Sequence, residues 1–159
     1  MIHTRPAKPF DAAAMAALLN EIIRIGGTSA MTRPVTAEDL RQWMAEPDSI
    51  WHLAENEQGA VQGFQWVHRH PDLPQSMLDI ATFVDVRAHG HGIGTALFDA
   101  TKKAARAAGY SAINATIRTD NESGLTYYRS KGFEPYAHQH GVKLENGLVV
   151  DRVQKRYSL

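Results

Sequence analysis

The chain has 159 residues, 43% of them hydrophobic and 21% charged, with 17 Lys plus Arg balancing 17 Asp plus Glu. That length suits one domain, residues 1–159, with a core of its own. The charge balance argues against a nucleic-acid groove or a membrane-surface patch, and the lack of any cysteine excludes disulfides, thiolate metal sites and an acyl-cysteine intermediate.

Ile2 to Arg5 reads as a short extended segment, broken by Pro6 and Pro9. Asp11 is placed to cap a helix that runs from Ala12 to Ile25, with Met15, Leu18, Leu19, Ile22, Ile23 and Ile25 on its apolar face. Gly26-Gly27 ends it, and a polar loop from Thr28 to Pro34 follows. Thr36 with Asp39 forms a capping box with Asp in place of Glu. The second helix runs to about Glu46, with Leu40, Trp43 and Met44 inward, and stops before Pro47. Ile50 to Glu55 and Ala60 to His68 are strands joined by a turn at Asn56 to Gly59. A central strand begins near Met77, where Leu78, Ile80, Phe83, Val84 and Val86 suit a mostly buried position. Gly90, Gly92 and Gly94 follow at every second residue. Ile93, Leu97, Ala100, Ala104 and Ala108 then recur at helical spacing, and Gly109 is the stop. Ser111 to Arg118 is a strand, Asn121 to Ser130 a short helix, and Phe133 to Leu144 a strand. It turns at Asn146-Gly147 and returns over Leu148 to Lys155. The order β-α-α-β-β-β-α-β-α-β-β describes a mixed α/β domain with helices on both faces of its sheet. No run of about 18 apolar residues occurs, so no membrane helix is expected. The segment MIHTRPAKPF carries no apolar leader, and a cytoplasmic protein is the expectation.

The strand, glycine turn and helix over Asp79 to Ala108 have one outstanding physical property. Without Cβ atoms the backbone can approach a ligand closely, and the first helical turn adds unpaired N–H donors and the positive end of the helix dipole. Such a turn suits a phosphate or pyrophosphate. The dinucleotide fingerprint does not fit: counting from Gly90 the third glycine falls at Thr95, and counting from Gly92 at Leu97. No Gly-Lys-Ser/Thr closes the turn, so it is not a P-loop. Packing alone is the other use of three such glycines.

The frame His89-Gly90-His91-Gly92-Ile93-Gly94 resembles the acyl-coenzyme A loop of the GNAT N-acetyltransferase superfamily, which has Gln or Arg where this chain has His89. The stretch from Asn121 through Gly124 and Tyr128 to Gly132-Phe133 is similar to that family's C-terminal signature, in the family's spacing. Asn20, the Thr28 loop, Trp43, Gly141, Lys143, Asp151 and Gln154 resemble, more weakly, the phosphinothricin acetyltransferase branch. The resemblance implies a mostly antiparallel mixed sheet, splayed at the site of acetyl-CoA, and a homodimer. It implies cofactor contacts at Val84, Val86, His89, Gly90, His91, Gly92, Ile93, Gly94, Thr95 and Asn121. It further implies Tyr128 beside the thioester sulfur, an oxyanion donor on the main chain near Val84, and Asp79 in the place of that branch's glutamate. With His89 in the loop a permanent charge is lost, and protonation would restore it. Asn121 also reads as a helix cap, Tyr128 as a buried aromatic, and Asp79 as an exposed strand carboxylate. Tyr127, about a hundred degrees round the helix, is the neutral comparison for Tyr128.

The implied reaction moves an acetyl group from acetyl-CoA to the primary amine of a small molecule or amino-acid-like acceptor. At pH 7 an alkyl ammonium of pKa about 10.4 is neutral roughly once in 2,500, a cost of about 4–5 kcal/mol. A general base is therefore useful, and Asp79 is the candidate. An idle acyl-CoA-binding module and a protein or peptide acetyltransferase are the alternatives. Neither nucleic acid nor membrane is an expected partner. His68/His70, His89/His91 and His138/His140 are His-x-His pairs, but no acidic or histidine partner stands at a recognisable spacing, and no metal is expected.

Overall fold

The computed structural model describes all 159 residues. Seven strands form one open sheet in the order β1-β2-β3-β4-β5-β7-β6: β1 His3–Pro6, β2 Ile50–Glu55, β3 Val61–His68, β4 Met77–Val84, β5 Ala112–Arg118, β6 Glu134–Lys143 and β7 Val149–Ser158. Every neighbouring pair is antiparallel except β4 with β5. Helices α1 Ala12–Ile25 and α2 Ala37–Met44 cover one face, and α3 Ile93–Ala107 and α4 Glu122–Ser130 the other. No helix is long and apolar enough to cross a membrane.

Strand alternation divides the core in two. Leu53, Phe64, Trp66 and Phe83 pack with Met15, Leu19 and Leu40 under α1 and α2. Val67, Leu78, Ile80, Ile113 and Ile117 pack with Phe98, Tyr128 and Phe133 under α3 and α4. Trp66 stacks between Trp51 at 4.4 Å and Trp43 at 5.5 Å.

The parallel pairing of β4 with β5 stops early. Only Met77, Leu78 and Asp79 pair, with Ala112, Ile113 and Asn114. Beyond that point β4 stays with β3 as far as Val84, while β5 stays with β7 as far as Arg118. The sheet therefore forks, with Asp79 and Asn114 at the vertex. Asp85 donates its N–H to the Gln62 carbonyl at 2.8 Å. By alternation the N–H and C=O of Val84 and Thr82 then face into the fork.

Two local expectations fail, the first through a contact with a neighbouring strand and the second through a turn that hydrophobicity does not register. Asp11 does not cap α1. It accepts two hydrogen bonds from the Arg5 guanidinium, at 2.8 and 2.9 Å, and one from the Lys8 N–H at 2.7 Å, closing a 3-10 turn over Pro9–Asp11. The Arg5 bond and charge hold its carboxyl below the usual carboxylate range. The central strand ends at Val84 rather than Val86. Asp85 accepts from the Arg87 N–H at 2.9 Å, turning Val86–Ala88 into a short 3-10 turn that leaves Val86 46% exposed. The Thr36–Asp39 capping box is present, with bonds of 2.9 and 3.0 Å.

Candidate active site

A cavity of about 740 Å³ opens at the fork, within the range of small-molecule sites. One wall is the glycine turn. Gly90 and Gly92 take φ of +83° and +75°, and nothing lies within 4 Å of where a Cβ would stand at either. Their conformation needs glycine, and the space beside them is open. The first helical bond of α3 runs from the Ala96 N–H to the Gly92 carbonyl, so the N–H groups of Ile93, Gly94 and Thr95 have no partner within the helix. His89 and Thr95 are exposed, and both line the cavity, as do Val84, Val86 and Ile93. His91 is exposed and lies outside the lining.

Gly94 differs from its two neighbours. Its φ is not positive, but a Cβ there would stand 2.6 Å from Cε1 of Tyr127. The missing methyl lets the Tyr127 ring seat against α3, where its hydroxyl donates to the Gly94 carbonyl at 2.7 Å. Tyr127 is thus built into the site and is no neutral comparison for Tyr128. The packing reading of the glycines holds for this one.

Sequence reasoning missed Lys131. Its ammonium donates to the Thr95 hydroxyl at 2.5 Å and lies 5.8 Å from the centre of the Tyr127 ring. A permanent cation therefore stands on the first turn of α3, where His89 offers none. The fit to a diphosphate is good: open glycine backbone, free N–H groups, a helix N-terminus and an ammonium converge on one wall.

Asn121 caps α4, accepting from the Gly124 N–H at 3.0 Å, and also donates to the Thr28 carbonyl at 3.3 Å. A Cβ on Gly124 would meet that side chain at 2.4 Å. Gly124 is small so that the cap can form. Arg118, 5% exposed, holds the same loop by donating to the Ser29 carbonyl while paired with Asp120 at 2.8 Å. Asn20 bonds both polar main-chain groups of Val35, at 2.7 and 2.8 Å, and closes the loop after α1. Thr28 and Gln154 reach the cavity, whereas Trp43 belongs to the core. Asp151 accepts from the Gly141 N–H at 2.9 Å and braces an irregularity between β6 and β7.

Asp79 and Tyr128 occupy opposite faces of the sheet and both line the cavity. The Asp79 side chain is 22% exposed; Asn114 donates to it at 2.9 Å and His68 Nε2 lies 3.9 Å away. Burial pushes its carboxyl above the usual carboxylate range, opposed by Asn114 and by His68 and His70. His68 Nδ1 bonds the Arg69 carbonyl at 2.9 Å and so carries a proton, which leaves Nε2 toward Asp79. Tyr136 fixes Asn114 from behind through Oδ1. The Tyr128 ring is buried against Phe133, and its hydroxyl meets the Thr82 hydroxyl at 2.8 Å. Burial raises the phenol further above its ordinary value, with Tyr127 adding to the rise and the Thr82 bond opposing it. No three His, Asp or Glu side chains come together as a metal-holding group.

The sequence matches the acetyltransferase (GNAT) family over residues 15–133. Over 160 aligned residues it is 26% identical to YwnH of Bacillus subtilis, provisionally named a phosphinothricin acetyltransferase, covering 98% of this chain and 93% of that one. The fold superposes on a phosphinothricin acetyltransferase from Sinorhizobium meliloti, solved with acetyl-CoA, at TM-score 0.88 and 20% identity, covering 99% of this chain and 88% of the other. It superposes equally on a ribosomal-protein-alanine N-acetyltransferase from Brucella melitensis, at TM-score 0.89 and 23% identity over 99% of each chain. The chain belongs to the GNAT acetyltransferase family. With that membership comes its class of enzyme, an acetyl-CoA-dependent N-acetyltransferase.

Proposed function

We propose that the chain acetylates the primary amine of a small, amino-acid-like acceptor by direct attack on acetyl-CoA. The observation that carries this reading is the fork, with a raised carboxylate at its vertex and one cavity joining the two faces of the sheet. Acceptor and thioester reach each other there from opposite sides. The Thr28 loop, tied down by Asn20, Asn121 and Arg118, narrows the acceptor side and favours a small amine over a protein chain. The phosphinothricin acetyltransferase names among its relatives point the same way.

Bound acetyl-CoA supplies the acetyl thioester; the chain does the rest. The N–H groups after Gly92, with Gly90, His89 and Lys131, hold the diphosphate, Asn121 and Val86 flank the arm, and the fork-facing main chain of β4 pairs with it as an added strand would. Asp79 takes the proton of the acceptor ammonium. The freed nitrogen lone pair forms the C–N bond, the Val84 N–H donates to the carbonyl oxygen as charge grows on it, the C–S bond breaks, and the nitrogen gives its second proton to solvent to leave a neutral amide. Tyr128 donates a hydrogen bond to the departing sulfur. An ordinary phenol giving its proton to a thiolate is uphill by about 2 kcal/mol, and burial steepens that. The Tyr128 proton therefore stays on its oxygen, and a solvent proton completes the thiol. With no cysteine in the chain, no acyl-enzyme step through sulfur competes.

Because the chain has no thiol of its own, a thiol reagent reports released CoA directly. Turnover is to be measured with free amino acids, phosphinothricin, small primary amines, lysine peptides and an alanine-terminated ribosomal peptide. The expected result is release with an amino-acid-like acceptor and little with peptides. Preference for a peptide would overturn the acceptor class, and calorimetry showing no uptake of acetyl-CoA at millimolar ligand would overturn the whole reading.

A further inference from the structure

Behind Tyr128 runs a chain of hydrogen bonds whose direction can be worked out atom by atom. Tyr127 has one hydroxyl proton, and it goes to the Gly94 carbonyl, which can only accept. The Tyr127 oxygen can therefore only accept from Gln65, 3.0 Å away, which turns the Gln65 amide so that its NH₂ faces Tyr127. The same NH₂ donates to the Thr82 hydroxyl at 2.9 Å. Gln65 is fully buried, and its carbonyl oxygen has no partner. The reverse orientation would set that oxygen against a Tyr127 oxygen with no proton left to give.

Gln65 thus cannot take the Thr82 proton. Thr82 and Tyr128 share one hydrogen bond and two protons, so one proton is left for the cavity. Beside a sulfur that gathers negative charge, the arrangement that uses both hydroxyl protons has Thr82 donating to the Tyr128 oxygen and Tyr128 donating to the sulfur. Each bond in the series polarises the next. We infer that Thr82, oriented by Gln65, Tyr127 and the Gly94 carbonyl, is a positioning residue that keeps the Tyr128 proton available to the CoA sulfur. The inference rests on the placement of Tyr128 beside that sulfur and adds the direction of the proton and the residues that set it.

The test uses CoA alone, without an acceptor. The full chain is titrated with CoA bound, following thiolate absorbance in the ultraviolet against the desulfo-CoA complex; the chain contributes no thiol signal. The expected thiol pKa in the wild type lies below the ordinary thiol value of about 8.5. Tyr128→Phe should raise it by about one unit or more, the span of a hydrogen bond to a charged atom. Thr82→Val should raise it in the same direction, Thr82→Ser should restore it, and Thr82→Val should add nothing in a Tyr128→Phe background, because its effect passes through the phenol. Calorimetric CoA affinity at a pH where the thiol stays neutral should change by less than the thiol pKa shift corresponds to, because a neutral thiol accepts only a weak hydrogen bond. Thr82→Ala takes the place of the valine variant if that one does not fold. A shift from Tyr128→Phe with none from Thr82→Val, or shifts that simply add, overturns the inference and leaves Tyr128 beside the sulfur. No shift from Tyr128→Phe, or no CoA binding by the wild type, overturns both.

Discussion

Gly94→Ala separates two explanations of one glycine. As a residue of the phosphate turn, Gly94 would be needed for backbone conformation; as a packing residue, it is needed for Tyr127. Its φ is not positive and it lies in the first turn of α3, so alanine costs nothing in the backbone and gains up to about 1 kcal/mol in helix propensity. Against that gain stands the new Cβ, 2.6 Å from Tyr127 Cε1 and 3.3 Å from Cδ1 and Cζ. The ring cannot retreat, because Tyr128 is edge-on to it at 4.9 Å and Gln65 bonds its hydroxyl. Overpacking of this kind costs about 1–3 kcal/mol, and a displaced Tyr127 hydroxyl loses about 1 kcal/mol more. The net expectation is a loss of about 1–3 kcal/mol and a fall in Tm of about 2–12 °C. The assay is urea and thermal unfolding of Gly94→Ala alone and in a Tyr127→Ala background. With the ring gone the sign should reverse, leaving the alanine neutral or stabilising. Equal destabilisation in both backgrounds would refute the packing argument, and so would a Gly94→Ala variant more stable than the wild type.

Asp79→Asn should trade activity for stability. Burial raises the folded pKa of Asp79, so the folded state holds this proton more tightly and stability falls as pH rises from the ordinary carboxylate value through the folded pKa. Asparagine removes that loss while still accepting from Asn114, so urea unfolding at pH 7 should find the variant at least as stable as the wild type, whereas kcat/KM falls by about 10²–10⁴-fold. The deficit should narrow as pH approaches the pKa of the acceptor amine; a less stable variant with unchanged kcat/KM would reject the assignment. Lys131→Met should weaken CoA binding about tenfold at low salt, as loss of one charge-assisted bond does, and should flatten its salt dependence. Unchanged calorimetric affinity at low salt would remove Lys131 from the diphosphate wall.

The elements and the glycine turn were legible in the sequence because each depends on residues a few positions apart. The Thr36–Asp39 box, the Asn121 cap and the positive φ at Gly90 and Gly92 are contacts or conformations within one turn of chain. The same local rules misplaced Asp11 because Arg5, on a strand before the helix, outbid the helix for its carboxylate. They extended the central strand to Val86 because hydrophobicity does not register the Asp85 turn.

What periodicity could not supply was who faces whom. Gln65 meets Thr82, Tyr127 meets Gly94, and Lys131 meets Thr95 across 17, 33 and 36 residues of chain. No local signal marks these pairs. The sequence alone determined a strand, a glycine turn and a helix in succession, and a further helix carrying two adjacent tyrosines. Which tyrosine hydroxyl braces the scaffold and which is left with a proton to give was decided only when β3, the fork of β4 and the start of α3 came together. A hydroxyl proton takes its direction from the acceptors around it, and those acceptors are gathered by the fold.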